Sequence, residues 1–226
     1  MKILILVAMD KELNLLLGAM AEYQQDEVDG MTVWRGDAGR HEVAVARCGI
    51  GKVNAAVNAW RLCRALEPEL VVNSGVAGGA DASVPVGTLL VASEATNHDV
   101  WCGPGTQWGA PDGFPVRFRS GSRILELAAA LRRDDVVEGL ICSGDRFITS
   151  PDEVAAIKSR FSDALAVDME SAPIMQVCSM LGIECNILRV VSDTPGSGDN
   201  LAQYQDFFER APEKSFALIS YFLENY

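Results

Sequence analysis

Ile187-Leu188-Arg189-Val190-Val191-Ser192-Asp193 is the stretch on which the reading of this chain turns. A short apolar run, rich in β-branched residues, reads as a buried strand. Thr194-Pro195-Gly196 then breaks it. The strand therefore ends in a carboxylate. In open α/β sheets ligands bind at the carboxyl ends of strands. A carboxyl group in such an apolar mouth has its pKa raised and can serve as a proton donor. One helix earlier, Val167-Asp168-Met169-Glu170 places a second acidic cluster at an equivalent position, and Glu12 follows the first strand.

Outward from that stretch, strands alternate with helices. Residues 3–7 read as a buried strand, and Leu13, Leu16, Leu17 and Met20 set the apolar stripe of a helix over 11–21. Residues 31–36 and 42–48 read as a hairpin around Ala38-Gly39-Arg40. A helix over 52–66 follows Gly49-Ile50-Gly51 and closes before Pro68. Leu70-Val71-Val72 is the next strand, running into Asn73-Ser74-Gly75-Val76-Ala77-Gly78-Gly79, and Thr88 to Ala92 is another. Further on come a helix over 122–132, a strand over 136–142, a helix over 152–160, a short strand over 165–167, and a helix whose stripe is Ile174, Val177, Cys178 and Leu181. The tail from Gln203 to Tyr226 reads as helical, with a break near Pro212. This alternation predicts an α/β fold in one domain, residues 1–226. Its core is a central, twisted, mostly parallel sheet flanked by helices, made mixed by the hairpin. Residues 97–121, with five glycines, three prolines and two tryptophans, read as a long irregular loop of the functional or intersubunit kind.

The chain has 226 residues, 49% of them hydrophobic, enough for a sizeable core. A formal net charge of −12 speaks against a nucleic-acid partner, which needs a basic patch. No apolar run approaches the ~18 residues of a membrane span. Met1-Lys2 and Ile3 to Val7 resemble a minimal signal peptide, but Asp10-Lys11-Glu12 follows at once, and a first core strand is the reading taken. Six cysteines without a C-x-x-C pair suggest reduced, mostly structural thiols and a cytoplasmic protein.

Each motif has a plain reading beside its chemical one. Gly49-Ile50-Gly51-Lys52-Val53-Asn54 fails as a nucleotide loop, because Ala46, Val53 and Asn54 stand where the P-loop and dinucleotide patterns need other residues. It reads as a tight strand-to-helix turn. The glycines of 73–79 let backbone pass close to a flat ligand, or simply reverse the chain. His41 and His98 are the only histidines, and His98-Asp99 alone is a weak metal signal. No G-x-S-x-G elbow exists for a serine hydrolase. Glu12 and Glu170 could be helix-start acids and Asp193 a turn residue. Taken together they gain weight, because all three sit at carboxyl ends of strands expected to be parallel, where they can meet in one crevice.

Gly49 to Ala56, Asn73 to Gly79, Ser143-Gly144-Asp145-Arg146-Phe147-Ile148, Val167-Asp168-Met169-Glu170 and Arg189 to Asp193, in that order, resemble the nucleoside phosphorylase/nucleosidase superfamily. The likeness is greatest to the branch acting on 5′-methylthioadenosine and S-adenosylhomocysteine, and runs from Met1 to about Phe208. The resemblance implies a phosphorylase/hydrolase-like single α/β domain, a small-molecule purine nucleoside as substrate, no metal, no organic cofactor, and a homodimer. It implies hydrolysis of the bond between purine N9 and ribose C1′. Asp193 would be the general acid at N7 and Glu12 the carboxylate that arms water. Glu170 would hold the ribose hydroxyls and Met169 would pack on the ribose. Phe147 would stack on the purine, and the backbone of Ile148 would read its edge. Ser192 and Arg189 would position Asp193 and Glu170, Ala77-Gly78 would lie near the base, and Tyr204 over the 5′ group. The 97–119 loop would cap that pocket in the partner subunit.

The chain departs from the family pattern in places. Val76 stands where Ser is frequent, Asp168 replaces a common Glu, and both 97–118 and the residues after Asp193 diverge. Rival readings are a futalosine or aminodeoxyfutalosine nucleosidase, a purine nucleoside phosphorylase, and a non-catalytic nucleoside-binding protein. Asp193 favours a 6-amino purine, and Glu12 would repel the phosphate a phosphorylase must bind.

Overall fold

β5 (Leu70–Gly79) is the axis of the sheet, and its two neighbours come from opposite ends of the chain. β1 (Lys2–Val7) pairs with it in parallel through residues 70–73, and β10 (Glu184–Asp193) pairs with it in parallel along nearly its whole length. The computed structural model describes residues 1–20, 22–197, 199–210 and 220–226. Beyond β1 lies β4 (His41–Arg47) in parallel, and β3 (Met31–Ala38) and β2 (Tyr23–Val28) complete that side as an antiparallel meander. Beyond β10 the order is β6 (Leu89–Asn97), β8 (Val136–Ser143) and β9 (Ala164–Asp168). β9 then returns antiparallel onto Gly78 and Gly79 of β5. Five strands, β5-β10-β6-β8-β9, thus close into a ring, and β7 (Phe118–Arg119) hangs on β6.

The sheet has apolar clusters on both faces. Leu4 and Leu6 of β1 enter one cluster, and Ile3, Ile5 and Val7 enter the other. That period-2 division of an unbroken apolar run is what a strand covered on both sides produces. Each such side chain, fully buried, contributes about 1.5–3 kcal/mol. The covering helices are α1 (Asp10–Ala19), α2 (Lys52–Leu66), α3 (Ser122–Leu131), α4 (Pro151–Lys158), α5 (Ser171–Leu181) and α6 (Asn200–Arg210). α2 buries Ala55, Ala59, Leu62 and Cys63, one stripe at helical spacing. α4 starts with a capping box. The Glu153 N–H donates to Ser150 Oγ at 3.3 Å, and the Ser150 N–H donates to Glu153 Oε2 at 3.1 Å. Pro173 sits in the first turn of α5, where its missing N–H costs nothing. Residues 220–225 are helical, and the break expected near Pro212 lies outside the described residues. All six cysteines are free thiols. Among the described residues no helix is long and apolar enough to cross a membrane.

Three features differ from the sequence reading. β2 is an extra strand. Its residues, Tyr-Gln-Gln-Asp-Glu-Val, are almost all exposed, so no apolar alternation announces it. Its turn did carry a signal, since Asp29 and Gly30 both have positive φ, the hairpin-forming Asp-Gly pattern. Secondly, β5 does not end at Val72 or reverse there, but runs on to Gly79. Thirdly, antiparallel pairings are more numerous than alternation suggests, because β6 opposes β10 and β9 opposes β5.

Candidate active site

The far half of β5 forms the floor of the site. Gly78 has Asp193 of β10 as its partner on one side and Val167 of β9 on the other. The ring closure therefore brings the ends of two strands, each followed or terminated by an acid, to the same glycine. β9 achieves this running antiparallel to β5, not parallel as expected.

Glu12 reaches the floor from β1. It lies in the first turn of α1, just past the end of that strand. Its Oε2 accepts the N–H groups of Ala8 at 2.9 Å and Met9 at 3.0 Å. Its Oε1 accepts the N–H of Val76 at 3.0 Å. One oxygen thus caps its own helix and the other spans to β5. Gly75 makes room for it: a Cβ there would lie 2.5 Å from Glu12 Oε1. The side chain is only 2% exposed. Burial raises its pKa, while the Arg189 charge and the three backbone N–H groups pull it back down.

Asp193 closes β10. The β10–β5 register shifts between Val191 and Asp193, an irregularity of the kind that re-aims side chains beside active sites. Asp193 is 2% exposed. Ser192 Oγ donates to its Oδ1 at 2.7 Å, and Asn200 Nδ2 donates to its Oδ2 at 3.4 Å. Burial raises its pKa, and these two hydrogen bonds oppose the rise.

Glu170 is the residue at the start of α5, but its carboxylate does not cap that helix. Oε1 instead accepts the N–H of Gly51, 119 residues away, at 2.9 Å. Gly51 begins α2 with φ of 90°, a conformation open to glycine, so the Gly49-Ile50-Gly51 turn presents an N–H to a carboxylate. Burial and the neighbouring Asp168 charge push the Glu170 pKa up to about 7. Asp168 itself is a buried hub. It accepts from Ser143 Oγ, from Ser171, and from Arg189 Nη2 at 2.8 Å. The Arg189 guanidinium also donates to the Asn73 carbonyl at 3.2 Å. Its link to Glu170 runs through Asp168 and through its field, and it makes no hydrogen bond to Asp193.

Glu12, Glu170 and Asp193 line one cavity of about 240 Å³. Ala77, Gly78, Met169, Ile148, Ser192 and Val76 line it too, whereas the buried Arg189 does not. Phe147, 42% exposed, and Tyr204 form an edge-to-face pair 5.6 Å apart at the wall. Tyr204 Oη donates to Met9 Sδ at 3.1 Å. The 97–119 loop contributes no lining residue to this cavity within the chain. It carries a stacked pair, Trp101 and Trp108, with the Arg160 guanidinium 3.7 Å over Trp108. Its Asp99 binds Lys52 Nζ at 2.6 Å and the Asp145 N–H at 2.9 Å. Sequence reasoning missed Gly51, Met9, Pro195 and Asn200. Gly51 acts through its backbone, and Asn200 lies in a segment whose residues match no motif.

A ring-closed mixed sheet with a cavity of about 240 Å³ where its strands end defines the class. The phosphorylase superfamily model matches residues 2–224, and the chain belongs to that superfamily. A curated 5′-methylthioadenosine/S-adenosylhomocysteine nucleosidase of Glaesserella parasuis is 34% identical over 230 residues, covering 100% of both chains. The solved nucleosidase of S. pneumoniae with the transition-state inhibitor MT-ImmA superposes with a TM-score of 0.93 at 30% identity, covering 99% of each chain. That of Neisseria meningitidis in complex with methylthio-immucillin-A gives 0.92 at 30%, covering 100% of this chain and 99% of that one. Identity at this level over full length puts the chain in the same family as these nucleosidases.

Proposed function

We propose that this protein hydrolyses the N-glycosidic bond of 5′-methylthioadenosine and S-adenosylhomocysteine, releasing adenine. The observation that carries the reading is the convergence of Glu12, Glu170 and Asp193 on one cavity. Adenine is a poor leaving group as an anion, so N7 must gain a proton as the bond breaks. Asp193, buried and with a raised pKa, is the acid. Glu12 holds and deprotonates the attacking water on the other face of the sugar, the division of labour of an inverting glycosidase. Its oxygens already occupy three backbone N–H groups that an anion would otherwise use, which disfavours phosphate as the nucleophile. Glu170 accepts the ribose hydroxyls and stabilises positive charge growing on the ring. Phe147 stacks on the purine, Ile148 reads its edge, Ala77-Gly78 pass beside the base, Met169 packs on the ribose and Tyr204 covers the 5′ group. Acid catalysis of this kind contributes on the order of 10²–10⁴-fold.

The working unit is a cytoplasmic homodimer of single-domain subunits. Val53, Val57 and Trp60 project from α2 at i, i+4 and i+7, all exposed, and continue from Ile50 at the cavity. A second copy covers this ridge and brings its 97–119 loop to the 5′ end of the site. The test is a panel of 5′-substituted adenosines, including aminodeoxyfutalosine, and of inosines, assayed for free base with and without phosphate. Adenine release from the thio-substituted adenosines, indifferent to phosphate, is expected. Phosphate-dependent release, or tight adenine binding without turnover of any nucleoside, overturns the reading. Val57→Glu should shift the sedimentation coefficient to that of a monomer.

A further inference from the structure

We propose that Asn200 is a positioning residue for the acid, holding an N–H against the carboxylate that Asp193 becomes when it gives up its proton. This deepens the nucleosidase reading and rests on Asp193 acting at N7. Asn200 opens α6 and is buried, and its Nδ2 donates both to the Ile148 carbonyl at 3.2 Å and to Asp193 Oδ2 at 3.4 Å. An amide can flip, but the Ile148 carbonyl only accepts, so it fixes the NH₂ end toward Ile148 and hence toward Asp193. The second N–H therefore always points at Oδ2. It stabilises the carboxylate more than the neutral acid, whose oxygens are weaker acceptors.

That preference has a catalytic direction. In the ground state Asp193 carries the proton, and in the transition state it is releasing it. A donor aimed at the developing anion is stronger in the transition state than before it, which is the condition for raising kcat. Burial alone would keep the proton on too tightly. Asn200, with Ser192, brings the acid back within reach of the base. The other titratable or charged groups around the cavity are Glu12 from α1, Asp168 and Glu170 from β9 and the α5 start, Tyr204 from α6, and Arg146 from the loop after β8. Arg146 is paired with Glu153 at 2.6 Å. None of them changes when only the amide is removed.

The test compares wild type with Asn200→Leu on two substrates, 5′-methylthioadenosine and a 5′-methylthio-riboside with a p-nitrophenolate leaving group. The second needs no proton at its leaving group. A charged hydrogen bond lost here lowers kcat on the adenosine about tenfold, with KM little changed. The same factor moves the falling, alkaline limb of its pH profile up by about one unit, because the acid keeps its proton longer. The nitrophenyl substrate should be unaffected. Equal losses on both substrates, or a loss confined to KM, would show a merely structural role and overturn the proposal. So would an unchanged pH profile. Should Asn200→Leu fail to fold, Asn200→Ser, too short to reach Asp193, reads the same quantities. Absence of adenine release by the wild type would sink the nucleosidase reading instead, and is visible in the control lane.

Discussion

Two carboxylates that line the same cavity, Glu12 and Asp193, are buried to the same degree but solvated in opposite ways. Glu12 sits on the floor, where three backbone N–H groups and the nearby positive charge of Arg189 all favour the anion. Asp193 sits on the wall, where one hydroxyl and one amide are its partners and no cation is among the causes of its shift. Burial lifts both pKa values. What differs is the compensation, and in the proposed mechanism it is the compensation that separates the base from the acid. The floor is built from backbone, which cannot retreat. The wall is built from side chains, which can follow a proton.

The strongest way to break the comparison is to make the wall unable to donate. Asp193→Asn keeps shape and hydrogen bonds but has no acidic proton, and should lower kcat by about 10⁴-fold, the upper end for general acid catalysis. Adenine release measured by absorbance, with circular dichroism to confirm the fold, checks it; near-normal activity removes Asp193 from its role. Next in size is the floor. Glu12→Gln still accepts the Ala8 and Met9 N–H groups through one oxygen, but then turns an NH₂ toward the Val76 N–H, donor against donor. Loss of about 10³-fold in hydrolysis is expected, with binding of a nucleoside analogue preserved within about tenfold by calorimetry. Equal losses in rate and binding would make Glu12 a structural residue.

The same contrast explains which parts of the site could be read beforehand. Asp193, Glu170 and Glu12 were legible because each follows an apolar run whose end can be located by composition alone. Phe147, Ile148 and Tyr204 came from the family resemblance and not from any periodicity. The floor was legible only as glycines: Gly75 is required because the Glu12 oxygen lies where its Cβ would be, a reason that sequence cannot supply. Gly49-Ile50-Gly51 reads as a tight strand-to-helix turn, and Gly51 does open α2, yet its N–H also holds Glu170, which the sequence does not announce. Backbone donors leave no residue-type signature. The extension of β5 to Gly79 and the antiparallel return of β9 depend on ring closure, a long-range pairing that local pattern does not encode.

Glu170 lies between the two extremes, with one backbone donor and a like charge beside it, and its titration should be visible in stability. Its folded pKa, about 7, exceeds its ordinary value of 4.5. The native state therefore holds the proton more tightly than the unfolded chain. The contribution is complete below pH 4.5 and is lost as pH rises through 7. The full swing is up to about 3 kcal/mol at 1.36 kcal/mol per unit. Ligand-free protein should lose melting temperature between pH 5 and 8. Glu170→Gln, whose amide oxygen can still accept the Gly51 N–H, should flatten that slope. An unchanged slope would assign it to other groups.

The smallest expected effect sharpens the contrast most finely. Ser192 Oγ lies 2.7 Å from Asp193 Oδ1 and 3.3 Å from the Ala77 carbonyl. A hydroxyl has one proton and cannot give it to both. With Asp193 ionised, the proton goes to Oδ1. With Asp193 neutral, Oδ1 is a weaker acceptor and the hydroxyl proton can turn to Ala77 instead. Ser192 thus has a second acceptor when the acid holds its proton, whereas the N–H that Asn200 aims at Oδ2 has none. Ser192→Ala should therefore cost less in kcat than the roughly tenfold expected for loss of Asn200, because only the difference between the two protonation states counts, and should shift the alkaline limb less than loss of Asn200 does. A larger shift for Ser192→Ala than for Asn200→Leu would mean that the hydroxyl never leaves the carboxylate, and that the wall is as fixed as the floor.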